Sequence, residues 1–423
     1  MKTLRNQNYW WKFEQLPLLL YLCKWLFLSV LSGACIGSAS ALLLVSLEWA
    51  TQYREHHLWI IALLPVAGLL IGLMYHYWAG TASRGNNYLI EEIRSPHDII
   101  PFRMAPLVYI GTVLTHLFGG SAGREGAALQ VGGALGNTFA KLFKFDEKDT
   151  RIMIMCGMSA CFSALFGTPI AAAVFSMEVI SVGVMYYAAL VPCVLAAFIA
   201  QGIASALGLE STHFVVDEIT SFSFINGSKF IIMSVLFALA SILLCVVLHG
   251  TSKLYTNYIN NPYIRIIIAG ALVIAMRYIF GTTDYLGAGS DIIARSFVTS
   301  CAWYVFLLKM LFTAVTLGGG FKGGEIVPTL FVGATIGSFL APIFGLPVGL
   351  CAACGMVSVF CGVTNCPLTS FILSIEMFGA STMKFTILCI ALSYLLSGYY
   401  SLYNSQKIVY SKYKTEYINR RSH

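Results

Sequence analysis

The sequence predicts an all-α polytopic membrane protein made of two related halves with interrupted helices. The 423 residues are 58% hydrophobic and only 11% charged, whereas soluble domains average about 25% charged residues. The chain also matches itself at an offset of about 200 residues. Glycine-rich segments that carry charged side chains interrupt the apolar stretches of both halves.

Long apolar runs supply the predicted membrane segments. Several reach the roughly 20 residues that a helix needs to span a bilayer. Others are shorter or contain Gly, Pro or charge, which predicts broken or re-entrant helices. The runs are Leu16–Ala50, Leu58–Trp78, Ile152–Ile180, Tyr186–Leu207, Phe230–His249, Ile264–Ile279, Tyr304–Leu317 and Met383–Tyr399.

Charge at the two ends predicts the topology. Both flanks are rich in Lys and Arg, so the positive-inside rule places both in the cytoplasm and requires an even number of crossings. The first apolar run has no convincing cleavage site and is expected to be an anchor, not a signal peptide. The predicted segments are a cytoplasmic N-terminal segment (1–15), a first membrane half (16–207), a connection (208–228), a second membrane half (229–406) and a cytoplasmic tail (407–423).

The spacing of reactive residues favours no enzyme, metal site, cofactor or nucleic-acid interface. The 12 cysteines form no pattern of paired C-x-x-C motifs, and the eight histidines show no H-E-x-x-H motif. Cysteines inside apolar runs act as small buried hydrophobes. Ser121 and Ser159 have no His or Lys partner placed by a motif, and no basic face is visible.

The internal repeat extends through two blocks. The first block pairs Gly119, Gly123, Leu129, Val131, Gly132, Gly136, Ala140 and Phe143 with Gly320, Gly324, Leu330, Val332, Gly333, Gly337, Ala341 and Phe344; the second pairs Cys156–Met158, Phe162, Pro169, Ser176 and Glu178 with Cys354–Met356, Phe360, Pro367, Ser374 and Glu376. Duplicated halves with interrupted helices are typical of transporters, whose site lies near the bilayer midplane where the halves meet. The halves are inverted if each crosses the membrane an odd number of times.

The segment Gly123-Arg124-Glu125-Gly126 predicts a gated anion site. Ionisable groups at membrane depth are expensive and mark transport paths. The apolar residues from Ala127 onward predict a helix that starts here, and a helix N-terminus offers unpaired N–H donors to an anion. An ionised Glu125 would compete for that position and leave it when protonated. The alternative is that Glu125 pairs with Arg124 to hold the fold.

The matching segment Leu317–Pro328 predicts a second helix start. Glu325 aligns with Arg124 and Ile326 aligns with Glu125, so this half offers backbone donors without a second gate. Glu325 is expected to carry a proton or, when protonated, to donate a hydrogen bond to an anion. The alternative is an ion pair with Lys322.

Four other polar residues are weaker candidates for a role in transport. Asn86 supplies N–H donors, although an ordinary Asn-rich turn is the favoured interpretation of its segment. Tyr403 follows the last apolar run and could point its hydroxyl at an anion, but interfacial Tyr is common. Glu178 and Glu376 occupy matched positions, and this symmetry favours capping or pairing over proton relay.

These residues together resemble the CLC family of chloride channels and proton-coupled anion antiporters. The family's G-R-E-G motif matches Gly123–Gly126, its G-x-F-x-P segment matches Gly324–Pro328, and its C-terminal tyrosine matches Tyr403. The similarity covers nearly the whole membrane region. It implies the CLC-type fold of two inverted halves and a homodimer with an independent pore in each subunit.

Departures from the chloride-type pattern resemble the fluoride-exporting branch of the family. Gly85-Asn86-Asn87-Tyr88-Leu89 replaces a G-S-G-I-P segment, and Ala127 follows G-R-E-G where the chloride type has Pro. Ile326 replaces the Phe of G-x-F-x-P. Val179 lies where chloride antiporters carry an intracellular proton-transfer Glu, and Val327 lies where many members of the branch have Thr.

The resemblance implies a plasma-membrane transporter that exports fluoride in exchange for protons, with a chloride/proton antiporter or chloride channel as the alternative. Glu125 would alternate between blocking the site and carrying a proton, and Glu325 would tune selectivity and relay protons. The residues expected at the anion are Asn86, Tyr403, Gly123, Arg124, Gly126, Ile326 and Val327.

Overall fold

Sixteen α-helices form most of the described chain, which comprises residues 15–95 and 100–423 of a computed structural model. The first eight are α1 (Gln15–His56), α2 (Leu64–Trp78), α3 (Gly85–Arg94), α4 (Met104–Leu117), α5 (Glu125–Leu142), α6 (Glu147–Phe166), α7 (Pro169–Glu178) and α8 (Leu190–Ala206). The second eight are α9 (Phe224–Tyr258), α10 (Pro262–Phe280), α11 (Ser290–Ser296), α12 (Val305–Gly319), α13 (Ile326–Phe344), α14 (Val348–Thr364), α15 (Pro367–Phe378) and α16 (Met383–Leu396). The predicted segment 1–15 lies outside the described residues apart from Gln15, and α9 begins within the predicted connection 208–228.

Helix lengths agree with a membrane protein that contains broken helices. Seven helices in the described part of the chain are long and apolar enough to span a bilayer, and six further apolar helices have only 10–17 residues. Helix α7 has 10 residues, about 15 Å at 1.5 Å per residue, or half a bilayer. Gly167 ends α6 with a positive φ of 72°, so the apolar run Ile152–Ile180 is two helices. The prediction of interrupted helices is confirmed.

Matched glycines pack the helices of each half in the same way. A Cβ atom at Gly132 would lie 2.1 Å from the carbonyl oxygen of Gly157, so α5 and α6 are in backbone contact. A Cβ atom at Gly333 would lie 2.4 Å from the carbonyl oxygen of Gly355, which brings α13 against α14. Small residues at helix contacts are typical of membrane proteins. The internal repeat is therefore a repeat of packing as well as of sequence.

The two halves meet head to head at their glycine-rich segments. The N–H of Gly123 donates to the Gly324 carbonyl (2.7 Å), and the N–H of Gly324 donates to the Gly123 carbonyl (2.8 Å), in an antiparallel bridge. The hydroxyl of Thr316 in α12 accepts from the Ser121 N–H (3.1 Å). The matching hydroxyl in α4 accepts from the N–H of the matching residue 322 (3.3 Å). The halves have inverted topology, and the N-termini of α5 and α13 lie side by side.

Glu178 and Glu376 connect the halves by capping each other's helices. Glu178, the last residue of α7, accepts hydrogen bonds from the N–H groups of the second and third residues of α15, at 3.1 and 2.8 Å. It also accepts from the hydroxyl of Thr369 (2.6 Å). Glu376 accepts from the N–H groups of the second and third residues of α7, at 3.0 and 2.8 Å. The predicted capping role is confirmed for both carboxylates.

The tail forms a small sheet that the all-α prediction missed. Strand β1 (Ser181–Val182) pairs in parallel with β2 (Lys407–Tyr410), which pairs antiparallel with β3 (Tyr417–Arg421). These strands are too short to show a reliable alternation in the sequence. The hydroxyl of Tyr21, near the start of α1, donates to the Ala188 carbonyl (2.6 Å) close to β1. The start of α1 and the tail therefore lie at the same end of the molecule.

Candidate anion site

Glu125 lies where the N-termini of α5 and α13 converge, and its side chain is fully buried. Its Oε2 atom accepts hydrogen bonds from the backbone N–H groups of Arg124 (3.1 Å) and Val327 (3.2 Å). One donor comes from each half. The arrangement binds a carboxylate at the point where two helix N-termini present unpaired N–H groups, which is a favourable position for any small anion.

The contact between Glu125 and the Arg124 side chain is weaker than the backbone contacts. The Arg124 Nε atom is 3.5 Å from Oε1 of Glu125, and neither atom has a hydrogen-bond partner among the described residues. The Arg124 side chain is 20% exposed. The ion pair expected in the alternative interpretation is present, but it contributes no hydrogen bond that would fix Glu125 in place.

Glycines around Glu125 allow the two segments to approach each other. A Cβ atom at Gly126 would lie 2.8 Å from the Gly324 Cα, and one at Gly123 would lie 2.8 Å from the Glu125 Oε2 atom. The N–H of Gly123 is used in the bridge to the Gly324 carbonyl. Gly123 thus contributes space and not the donor expected of an anion-binding residue. Ile326 begins α13 and is buried. The second half donates to Glu125 through the backbone N–H of the next residue, Val327. The side chain of Val327 has no hydroxyl, unlike the Thr that many members of the fluoride-exporting branch have at this position.

Two cavities approach Glu125 from opposite sides. The cavity on the side away from the tail, termed the far-side cavity, has a volume of about 760 Å³ and is lined by Arg54, His116, Arg124, Val327 and others. The cavity next to the tail, termed the tail-side cavity, has a volume of about 180 Å³. Its lining includes Tyr75, Asn86, Lys322, Gly323, Glu325 and Tyr403. The buried carboxylate of Glu125 lies between residues that line the two cavities.

Buried cations near the far-side cavity were missed by the sequence interpretation. Arg54 donates to the His116 carbonyl (2.9 Å). Lys309 is fully buried and donates to the carbonyls of Gly287 (2.7 Å) and Tyr285 (3.2 Å). Arg54 also forms an ion pair with Glu55 (3.6 Å). The carbonyl partners of Lys309 carry no net charge, so this cation leaves a positive potential that favours anions. Lys309 lies in the apolar run Tyr304–Leu317, where the high cost of an intramembrane charge is a signal that could have identified it.

Asn86 lies in α3 and not in a turn, so the favoured interpretation of this segment was wrong. The Asn86 Nδ2 atom is 3.0 Å from where a Cβ atom of residue 126 would be, beside the N-terminus of α5. Asn87 has a different partner, since its Oδ1 atom accepts from the Ser405 N–H (3.0 Å). The two neighbouring amides therefore contact the site and the tail loop, respectively.

Polar atoms without protein partners face the tail-side cavity. Among the residues that the structure describes, Asn86 Oδ1, Glu325 Oε2 and the Tyr403 hydroxyl are buried and have no hydrogen-bond partner. Tyr403 is only 2% exposed. Buried polar groups are nearly always satisfied, so this cluster suits a polar or ionic ligand. Glu325 forms no ion pair with Lys322, contrary to the alternative interpretation. The Lys322 ammonium lies 4.1 Å from the centroid of the Tyr75 ring.

Comparisons with known proteins identify the family and the fold. The family described as voltage gated chloride channel matches residues 67–398. A chloride/fluoride channel protein of Pseudomonas syringae pv. tomato is 41% identical over 406 residues, which cover 95% of this chain and 90% of that protein. The crystal structure of a CLC-type fluoride/proton antiporter superposes with a TM-score of 0.88 at 32% identity, covering 91% of this chain and 98% of that one.

More distant proteins share the fold. The crystal structure of a slow cyanobacterial Cl⁻/H⁺ antiporter matches with a TM-score of 0.77 at 18% identity, covering 88% of this chain and 94% of that one. The H⁺/Cl⁻ exchange transporter ClcA of Yersinia pestis is 21% identical over 380 residues, which cover 82% of this chain and 80% of that protein. These matches establish a common architecture of two inverted halves.

Proposed function

Because this chain belongs to the CLC family, described as that of the voltage gated chloride channels, we propose that it is a transporter that exports fluoride in exchange for protons. The observation that carries the proposal is the carboxylate of Glu125, which is bound by N–H groups of both halves between two cavities. A carboxylate and a small anion require the same donors. One position therefore holds either the Glu125 side chain or the transported ion.

Protonation provides the coupling between the two ions. An ionised Glu125 makes charge-assisted hydrogen bonds, which are about twice as strong as neutral ones. A protonated Glu125 loses that advantage and yields the donors of Arg124 and Val327 to an anion. Each visit of an anion to this position then requires a proton on Glu125, so the movements of the two ions are linked.

The tail-side cavity supports fluoride over chloride. A small, strongly hydrated anion gives up much water on entry and needs strong donors in return. The Asn86 Nδ2 group beside Gly126, the Tyr403 hydroxyl and a protonated Glu325 would supply them. The Tyr403 hydroxyl and Glu325 Oε2 are buried there without protein partners. The similarity to a fluoride/proton antiporter at 32% identity also supports fluoride. Glu325 would in addition pass protons between the tail-side cavity and Glu125.

The exchange is strongly driven in an inside-negative cell. An anion that leaves and a proton that enters both move charge down the membrane potential, at about 2.3 kcal/mol per charge per 100 mV. No enzymatic step is required, and the free energy of proton entry drives export.

We propose that the protein spans the plasma membrane with the tail side in the cytoplasm. The Lys- and Arg-rich flanks support this orientation, as does the position of the α1 start and the tail at one end of the molecule. We also propose a homodimer with a separate pore in each subunit. Independent pores are supported by the fact that one chain forms Glu125's donors and the lining of both cavities.

The proposal is tested with purified protein in liposomes loaded with fluoride, by following fluoride with an ion-selective electrode and protons with a pH electrode. E125Q is close in shape to the protonated carboxyl and cannot release a proton, so it should conduct fluoride without proton uptake. The matched control is E218Q, the same change at an exposed glutamate that lines neither cavity. Proton uptake by E125Q at the ordinary ratio to fluoride would reject the gate. Faster proton-coupled efflux of chloride than of fluoride by the unaltered protein would establish the chloride alternative.

A further inference from the structure

We propose that Lys322 forms an anion-recruiting site in the tail-side cavity. A small hard monovalent anion, with fluoride as the physiological case, would bind there before it reaches the donors that hold Glu125. The inference rests on the proposed function, since it assumes that anions cross this cavity.

The structure holds Lys322 in a defined position by contacts that do not neutralise it. A Cβ atom at Gly111 would lie 3.0 Å from the Lys322 Cγ atom, so the missing side chain on α4 makes room for the lysine stem. The Lys322 backbone N–H donates to the hydroxyl of Thr115 (3.3 Å). The ammonium lies 4.1 Å from the centroid of the Tyr75 ring. An aromatic face attracts a cation through its quadrupole and leaves the positive charge in place.

No carboxylate in residues 15–95 or 100–423 lies within ion-pair distance of the Lys322 ammonium. The ionisable groups within electrostatic range of it are Arg265 and Glu325. Of these, Glu325 lines the same cavity, and it is the group proposed to be protonated during transport. The charge of Lys322 is therefore available to a mobile anion.

The internal repeat shows that the fold does not require a lysine at this position. The residue that matches Lys322 in the first half is Ser121, whose hydroxyl hydrogen-bonds to that of Thr313 (3.0 Å) and is buried. Both residues use their backbone N–H groups in the same way, with the hydroxyls of matching threonines. The difference between them is a side chain with three N–H donors and a full charge, present only on the tail side.

The neighbouring polar atoms complete a site for a small anion. Asn86 and Tyr403 line the same cavity, so an anion beside Lys322 would have an amide and a hydroxyl within the same 180 Å³ space. An ammonium group is a compact, strongly hydrated charge that suits a small hard anion better than a large soft one. The chemical class of the ligand is therefore a small monovalent anion of high charge density.

The test measures the initial rate of fluoride efflux from proteoliposomes as a function of the loaded fluoride concentration, with K322M, K322R and the exposed-lysine control K384M. Loss of the positive charge weakens the attraction between the cavity and the anion, so the apparent KM of K322M should rise about tenfold, which corresponds to about 1.4 kcal/mol. The maximal rate should stay within about twofold, and the ratio of fluoride to protons should not change. K322R keeps the charge but not the compact ammonium, so its KM should lie between those of K322M and the unaltered protein, and K384M should have no effect.

Other outcomes overturn the proposal in distinguishable ways. An unchanged KM in K322M, or an equal increase in K322R, would show that the charge does not recruit the anion. A change in the ratio of fluoride to protons at unchanged KM would place Lys322 on the proton path instead. K322M should fold, because it replaces an ammonium without a carboxylate partner by an apolar chain of similar length.

A second variant keeps the test independent of K322M. Y75L removes the aromatic platform but leaves the lysine, and it should raise the apparent KM by roughly threefold while Y75F does not. A KM of Y75L equal to that of Y75F would contradict the proposed geometry. The result also separates the two proposals. If fluoride transport is proton-coupled and depends on Glu125, but K322M and Y75L have an unchanged KM, only the site at Lys322 is rejected. If the unaltered protein does not transport fluoride, the proposed function is rejected.

Discussion

Glu178→Ala removes a buried acceptor that joins the two halves, and we expect it to be among the most destabilising single changes of a carboxylate in this chain. Glu178 is 8% exposed and accepts three hydrogen bonds from the first turn of α15. Hydrogen bonds to a charged group contribute about 1.5–3 kcal/mol each. The three share one side chain, and the variant also removes the desolvation cost of the carboxylate, so they do not add. A net loss of about 3 kcal/mol follows.

The assay is the fraction of protein that remains monodisperse in detergent after heating, read by size-exclusion chromatography. For a chain of this length, about 3 kcal/mol corresponds to an apparent midpoint lower by roughly 3–6 °C. E376A should lower the midpoint less, because Glu376 is less buried and accepts two hydrogen bonds. E178Q should lower it least, since the amide oxygen still accepts. E218A, at an exposed carboxylate in the connection between the halves, is the control.

Two results would refute the reasoning. A midpoint of E178A equal to that of E218A would show that the cap does not hold the halves together. A stable E178Q protein that moves fluoride without protons would show that Glu178 relays protons, and that its symmetry with Glu376 is not evidence of a structural role. The midpoints are measured on protein in detergent, and the coupling of fluoride to protons is measured in liposomes.

Three further changes test the packing, the site and the tail. G132A should lower the midpoint of thermal unfolding strongly, because its Cβ atom would overlap the Gly157 carbonyl at 2.1 Å. The control G202A has no atom within 4 Å of its new Cβ and should be neutral. Equal midpoints for the two variants would contradict the close contact of α5 and α6. Y403F loses a hydroxyl without a protein partner, so the variant should be as stable as the unaltered protein. Its apparent KM for fluoride in the efflux assay should rise several-fold, because the anion loses a donor. An unchanged KM would show that Tyr403 does not contact the anion. Burial lowers the pKa of Lys412, in the tail outside the spanning helices, from 10.5 to about 8. The folded state then binds fewer protons than the unfolded state between these values, so stability should rise from pH 8 to pH 10.5, and K412M should lack that part of the rise in midpoints measured against pH.

Much of the site could be predicted from the sequence because its main signals are local. A charged glycine-rich segment before an apolar helix predicts a helix N-terminus with free donors, and the structure places Glu125 there. The internal repeat predicts that a second such segment lies opposite, and Gly123 and Gly324 are in fact hydrogen-bonded to each other. These signals depend on residue type and spacing, which the chain shows directly.

The remaining features depend on contacts between residues far apart in the chain. Asn86 was expected in a turn, but its position in α3 next to Gly126 results from the packing of α3 on α5. The partners of Glu178 are about 190 residues away. The tail sheet depends on β1, which has two residues. Lys309 and Lys322 were present in the sequence, but only the structure shows that carbonyl oxygens and an aromatic ring surround their ammonium groups.

The positions at which the two halves differ explain why an internally symmetric fold can support directional exchange. Positions that remain equivalent, such as Gly132 and Gly333 in the helix contacts, serve packing and occur on both sides. Had Ile326 also been Glu, two carboxylates would compete for the same N–H donors, and one would have to stay protonated because like charges at one site disfavour joint ionisation. With a buried isoleucine there, the proposed anion position has a single competing carboxyl group, that of Glu125. The residue that aligns with Arg124 is Glu325, so a cation lines the far-side cavity where a carboxyl group lines the tail-side cavity. At this pair of aligned positions, the side chain that can accept a proton is therefore on the tail side.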